Sequence, residues 1–166
     1  APFHAWDAAQ KFRYCGGWAD KLHGITVPTW TGPAHDYVAF EPYGVIGAII
    51  PWNGPLYAAT MVAAPALAAG CAVVLKPASL SPLSVLRYAE LGLEAGLPPG
   101  VLNVLPGPGG AVGDALVEHP LVGKVGFTGS TEVGIEIARK AAGTVKRVTL
   151  ELGGKSACLV FADADL

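Results

Sequence analysis

From Pro42 to Leu75 the chain runs for 34 residues without a charged side chain, and the run ends on Lys76. Few folds accommodate such a stretch. Its last part, Leu56–Leu75, is twenty residues long, which is the length of a membrane span. Eight of those twenty are alanine, however, and Pro65 and Gly70 interrupt them. Alanine contributes little insertion energy beside leucine or isoleucine. Pro51, Asn53, Gly54 and Pro55 also break the run just before it. The stretch therefore reads as a strand buried on both faces at 44–50, a buried helix at 56–69 and a second buried strand at 72–75.

Such strands need cover. Of the 166 residues 52% are apolar and only 14% charged, against a usual charged share of about 25%. That balance excludes intrinsic disorder. It also leaves an isolated monomer short of polar surface, so much of the exterior is expected to meet further chain or partner subunits. A formal net charge of −2 argues against a nucleic-acid partner, which would call for a basic stripe. Cys15, Cys71 and Cys158 form no C-x-x-C pair and read as reduced, inert core thiols of a cytosolic protein. His4, His23, His35 and His119 lack H-x-x-x-H spacing, so no metal site is expected.

The rest of the chain alternates. Residues 5–22 have helical periodicity closed by Gly24, followed by extended pieces near 37–40. Ser81-Pro82 opens a helix to about Ala95, which Gly96 closes. Strands are expected at 101–105, 124–127, 145–150 and 157–161, with a short helix at 111–118. A further helix is expected at 131–142, with Val133, Ile137 and Ala141 on one face. Strand–helix–strand alternation with short connections implies right-handed βαβ units and a doubly wound, mostly parallel α/β sheet of the Rossmann type. Residues 1–43 form a leading helix and extended segment, and 44–166 the βαβ core. Ligands of such sheets gather beyond the carboxyl ends of the strands. That rule points to 51–53, 76–79, 107–113, 128–134 and 151–154.

Each segment holds a candidate with a plainer alternative. Gly107-Pro108-Gly109-Gly110 with Gly113 resembles a phosphate loop, but Val112 spoils G-x-G-x-x-G and no Gly-Lys-Ser/Thr follows, so a strand-to-helix turn serves as well. Gly129-Ser130-Thr131 opens a helix whose free N–H groups suit an anion, or Ser130 is simply its cap. Lys76 either bonds ligand hydroxyls and phosphates or snorkels to solvent. Glu151, followed by Leu152-Gly153-Gly154, is a general base if partly desolvated, or an ion-pair partner of Arg147 or Lys155. Asn53 offers an amide donor for an oxyanion, or belongs to an Asn-Gly-Pro turn.

Five motifs, in order and nearly spanning the chain, resemble the NAD(P)-dependent aldehyde dehydrogenase superfamily. They are Ile50-Pro51-Trp52-Asn53, Val74-Leu75-Lys76-Pro77, residues 96–104 (GLPPGVLNV), residues 127–134 (FTGSTEVG) and residues 150–156 (LELGGKS). Residues 17–21 (GWADK) look like the broad-substrate and betaine-aldehyde-type branch. The resemblance implies an oxidoreductase that turns an aldehyde into a carboxylic acid through a thiohemiacetal and thioester, with NAD or NADP. It implies that Asn53 donates to the oxyanion, that Glu151 is the general base, and that Lys76 binds the adenosine ribose. Ile49, Trp52, Gly109, Gly113, Phe127, Gly129, Ser130 and Val133 would line the cofactor cleft. Ser79 stands where many NAD-preferring relatives have a glutamate on the ribose 2′-hydroxyl, which opens the way to NADP.

The family's nucleophilic cysteine lies a few dozen residues beyond the glutamate motif, whereas this chain ends fifteen residues after Glu151. None of its three cysteines takes that place, so the chain reads as an incomplete piece that binds dinucleotide without turnover. The expected whole is a cytoplasmic homodimer or homotetramer with no nucleic-acid or membrane partner, the alternative being a non-catalytic dinucleotide-binding or scaffold module. Glu151, Asn53 and Lys76 are expected to open onto one crevice.

Overall fold

In a computed structural model, residues 2–30 and 32–165 are described. Helix α1 spans Pro2–Gly16. The glycine pair, not Gly24, ends it: Gly17 and Trp18 donate their N–H groups back to Arg13 and Cys15, and the helix stops. Two successive glycines give up helix propensity that the flanking aromatic residues do not restore. Strands β1 (Ile25–Val27) and β2 (Asp36–Val38) then form a separate antiparallel pair.

The uncharged run folds as its texture requires. Strand β3 (Val45–Ile49) leads into helix α2 (Pro55–Ala68), which has proline in its first turn, and then into β4 (Ala72–Lys76). Helix α3 (Leu83–Glu94), strand β5 (Leu102–Val104), a π-helical turn at Gly109–Gly113 and helix α4 (Asp114–Glu118) follow. Strand β6 (Val122–Gly129), helix α5 (Thr131–Ala142) and strand β7 (Arg147–Leu152) complete the order. The other five strands are all parallel, in the order β5-β4-β3-β6-β7. The chain moves from β3 toward one edge and resumes at β6 toward the other, so β3 and β6 flank a topological switch point.

Strand alternation divides the core in two. Ile46, Ala48 and Ile50, with Val73 and Leu75, meet Ala59, Ala63 and Ala66 of α2 and Val85 and Tyr88 of α3. On the opposite face Val125 and Phe127 pack with Leu116 and Val117 of α4 and Ile137 and Ala141 of α5, joined by Ile49, Val74, Val148 and Leu150. Small residues set how closely the layers approach. A Cβ at Gly47 would lie 2.7 Å from Cγ of Leu116, so α4 sits directly on β3 only because that side chain is missing.

Several sequence expectations need correction. No strand forms at 157–161: residues 153–161 are exposed and without regular structure, because nothing among the described residues pairs with them. Cys158 is therefore exposed rather than a core thiol, whereas Cys71 is buried and Cys15 half-buried. Ser81 does not cap α3, whose N-cap position is Pro82 without a side-chain bond. Val133 is 41% exposed, so only Ile137 and Ala141 of its expected face reach the core. Strand β7 starts two residues later than expected because Val145, at φ 52°, still belongs to the turn that ends α5.

Candidate functional site

Parallel strands place all five candidate segments at one edge of the sheet, and hydrogen bonds between loops tie three of them together. Ser81 Oγ donates to the Trp52 carbonyl at 3.1 Å, joining the loop after β4 to the loop after β3. Ser79 Oγ donates to the Gly107 carbonyl at 3.3 Å, joining the same loop to the one after β5. Sequence reasoning missed Ser81 in this role. Its partner lies 29 residues away, and no local pattern encodes such a bond.

Lys76 is only 4% exposed. Its Nζ donates to its neighbour's carbonyl, Pro77 O, at 2.9 Å, and no carboxylate among the described residues pairs with it. Burial pushes its pKa below the usual lysine value. An ammonium carries three donors, so two are unused among the described residues. Gly113 lies over its stem: a Cβ there would sit 3.8 Å from Cδ of Lys76 and 3.5 Å from Cδ1 of Ile49. In register with Ile49 stands Phe127, which is buried. The Phe127 ring turns back under Gly129, where a Cβ would fall 2.4 Å from Cζ. Lys76, Ile49, Gly113, Phe127 and Gly129 thus form one group on the α4/α5 side of the edge. Gly109 is exposed nearby in chain order, at the start of the π-helical turn.

Ser130 acts as a cap. Its Oγ accepts from the Val133 N–H at 3.3 Å and its carbonyl accepts from Gly134, which fixes the start of α5. As an acceptor it keeps its own hydroxyl proton free, and Val133 stands exposed beside it. Trp52 and Asn53 are exposed in the loop after β3, and no hydrogen bond engages the Asn53 amide among the described residues.

Glu151 points the other way. Leu150 packs on the α4/α5 core, so the next side chain in the strand emerges toward α2. There Glu151 stands opposite Thr128, its register partner, at the rim of an apolar groove of about 520 Å³ that Ile50, Met61 and Val62 also line. It is exposed rather than partly desolvated, and it makes no ion pair with Arg147 or Lys155. The expectation of a single crevice is thereby corrected: Lys76 and Glu151 share the carboxyl edge but leave it on opposite faces. The reason is parity, since Lys76 pairs with Ile49, Ile49 with Phe127 and Phe127 with Leu150, one residue before Glu151.

This order of strands, with loops gathered at the switch point, defines a doubly wound, Rossmann-like α/β protein. The model of the aldehyde dehydrogenase family matches residues 3–166, and the chain belongs to that family. It is 55% identical over 156 residues to mouse "Aldehyde dehydrogenase, cytosolic 1", covering 93% of this chain and 31% of that protein. Among solved structures it resembles PnpE, which is from Pseudomonas sp. WBC-3, in complex with nicotinamide adenine dinucleotide. That match has a TM-score of 0.86 at 49% identity and covers 90% of this chain and 31% of PnpE. An E. coli "NADP dependent enzyme" matches with a TM-score of 0.86 at 46% identity, covering 89% of this chain and 31% of that one. The chain therefore spans less than a third of the length of these relatives. Among the described residues no helix is long and apolar enough to cross a membrane.

Proposed function

We propose that this chain is the dinucleotide-binding part of an enzyme that oxidises an aldehyde to a carboxylic acid with NAD or NADP. One observation carries the reading: a buried ammonium with no carboxylate partner and two unused donors among the described residues, Lys76, sits at the switch-point edge under a glycine-rich turn. Vicinal ribose hydroxyls, or a phosphate, supply the acceptors that such a group lacks. Lys76, Ile49, Gly113, Phe127, Gly129, Ser130, Val133, Gly109, Trp52 and Ser79 are the residues that would hold the dinucleotide, whose nicotinamide supplies a hydride acceptor. These residues border the carboxyl edge of the sheet, and Glu151 stands on its α2 side.

On that face Glu151 is the proton acceptor. An exposed carboxylate free of ion pairs can take the proton of a thiol or of the hydrolytic water and pass it to solvent. The Asn53 amide, unengaged and exposed, donates a hydrogen bond to the oxygen that gains charge when the carbonyl is attacked. The attacking cysteine is supplied by chain outside these residues. The net change converts aldehyde, oxidised cofactor and water to acid, reduced cofactor and a proton. The sparse charge and the apolar groove support a dimer or tetramer as the complete assembly, and the cytosolic relative supports a cytoplasmic setting.

The test uses the complete protein. Glu151→Gln is expected to lower kcat for NAD reduction by about 100-fold or more, with the dissociation constant for NAD unchanged. Wild-type turnover in that variant would overturn the assignment of the base. Dinucleotide binding without turnover in the complete wild type would mark a non-catalytic binding module instead.

A further inference from the structure

Ser81-Pro82 has the pattern of a helix cap, yet the serine does not cap α3, and its hydroxyl is engaged elsewhere. A capping serine accepts a hydrogen bond from its helix. Ser81 instead donates one, to the Trp52 carbonyl at 3.1 Å. A carbonyl has no proton to give, so the acceptor alone settles the direction of this bond.

The consequence lies in what that carbonyl is joined to. The Trp52 carbonyl and the Asn53 N–H belong to one planar peptide group, so holding the oxygen holds the plane from which Asn53 departs. Little else holds it. The Ile50 N–H bonds to the Lys76 carbonyl at 3.0 Å as β3 ends, and the Ala58 N–H bonds to the Gly54 carbonyl at 2.9 Å as α2 begins. Between those points, Ser81 makes the only hydrogen bond to the main chain of 51–53 among the described residues. The donor itself is mounted rigidly. The Ser81 N–H closes a turn onto the Ala78 carbonyl at 3.1 Å, Pro82 fixes the next φ, and α3 follows with Val85 fully buried.

We propose that Ser81 is a positioning residue: by holding the Trp52 carbonyl, it aims the exposed Asn53 amide at the oxygen that gains charge when the aldehyde is attacked. A donor aimed in advance stabilises that charge without reorganising during the reaction. Once untethered, 51–53 samples orientations in which the amide misses the oxygen, and a misplacement of about 1 Å costs on the order of 100-fold in rate. Ser81 exchanges no proton with substrate and acts only through Asn53.

This inference rests on the reading of Asn53 given above, and the experiment separates the two. The complete protein is assayed with NAD and straight-chain aldehydes from acetaldehyde to hexanal, the fastest being kept throughout. Ser81→Ala, Ser81→Thr, Asn53→Ala and the double variant Ser81→Ala/Asn53→Ala are compared with wild type. Ser81→Ala should lower kcat/KM for the aldehyde by roughly 10-fold, with the dissociation constant for NAD unchanged. Ser81→Thr keeps the hydroxyl and should restore the rate. Asn53→Ala should cost about 100- to 1000-fold, which leaves a measurable residue. In that background the further change Ser81→Ala should matter by less than about 2-fold, because nothing is left to aim. A full additional loss in the double variant would overturn the proposal, as would a Ser81→Ala enzyme that works like wild type or a threonine that fails to rescue. Weaker NAD binding with an unchanged rate would overturn it too, by placing the role of Ser81 in the loop that holds Lys76. An Asn53→Ala enzyme with wild-type kcat/KM would refute the underlying reading itself.

Discussion

Strands β3 and β4 lie on one side of the switch point and β6 and β7 on the other, and the two pairs are written in different textures. The first pair reads VIGAI and AVVLK, with interior residues such as Ala48, Val73 and Leu75 fully buried. The second pair reads VGKVGFTG and RVTLEL, alternating apolar with polar. Its Val125, Phe127, Val148 and Leu150 pack under α4 and α5. Its Thr128, Thr149 and Glu151 face a groove on the α2 side and are exposed. A continuous apolar run thus marks strands covered on both faces, and alternation marks strands covered on one. The chemistry follows the same division. Lys76 ends a strand covered on both faces and is buried, with no carboxylate partner among the described residues. Glu151 lies on the uncovered side of an alternating strand, open to whatever approaches.

The largest expected effect tests the difference in cover directly. Leu75→Ala should destabilise by about 2–5 kcal/mol, the range for emptying a fully buried site. Thr149→Ala on the open face should stay within about 0.5 kcal/mol. Urea unfolding midpoints compare the two, and similar shifts would mean that the pairs do not differ. A smaller effect is expected at Lys76. Replacing it with methionine removes a buried charge that has no counter-ion and should raise stability at neutral pH by about 1 kcal/mol. The folded pKa lies below the unfolded one, so in that window the unfolded state binds more protons and wild-type stability rises with pH. The gap between wild type and Lys76→Met should therefore narrow as pH climbs from the lowered pKa to the ordinary lysine value, while dinucleotide affinity in the variant falls. A gap that widened would contradict a desolvated ammonium.

The smallest effect lies beside the second pair. Val145 holds φ 52° at the end of α5, where its N–H and that of Lys146 close the last turn onto Ala142 and Ala141. Glycine is the usual occupant of this left-handed position. A β-branched residue there is strained, so Val145→Gly should stabilise by about 0.5–1 kcal/mol after the entropy of the added glycine is counted. A lower melting temperature would show that the valine is held by a contact worth more than the strain.

Much of this was legible beforehand, for identifiable reasons. The helix expected at 131–142 appears at Thr131–Ala142 because its cap, Ser130, and its amphipathic period are both local. The uncharged run folded into strand, helix and strand because nothing else hides so many apolar groups. The candidate site was legible as a set of strand ends, with Lys76 and Glu151 visible as charges closing apolar segments. The glycine pair at Gly16-Gly17 overrode the longer helical period, and the apolar segment 157–161 looked like a strand but had no ladder to join.

The sequence by itself determined most of the elements, their parallel alternation and the edge that gathers the candidate segments, since these follow from short-range periodicity and from turn chemistry. Only the tertiary structure decided the faces. Whether Lys76 and Glu151 meet depends on the register of four strands, and a shift of one residue would exchange their sides. It also decided the serine bonds to Trp52 and Gly107, which join residues far apart in the chain and arise only when the loops are brought to one edge.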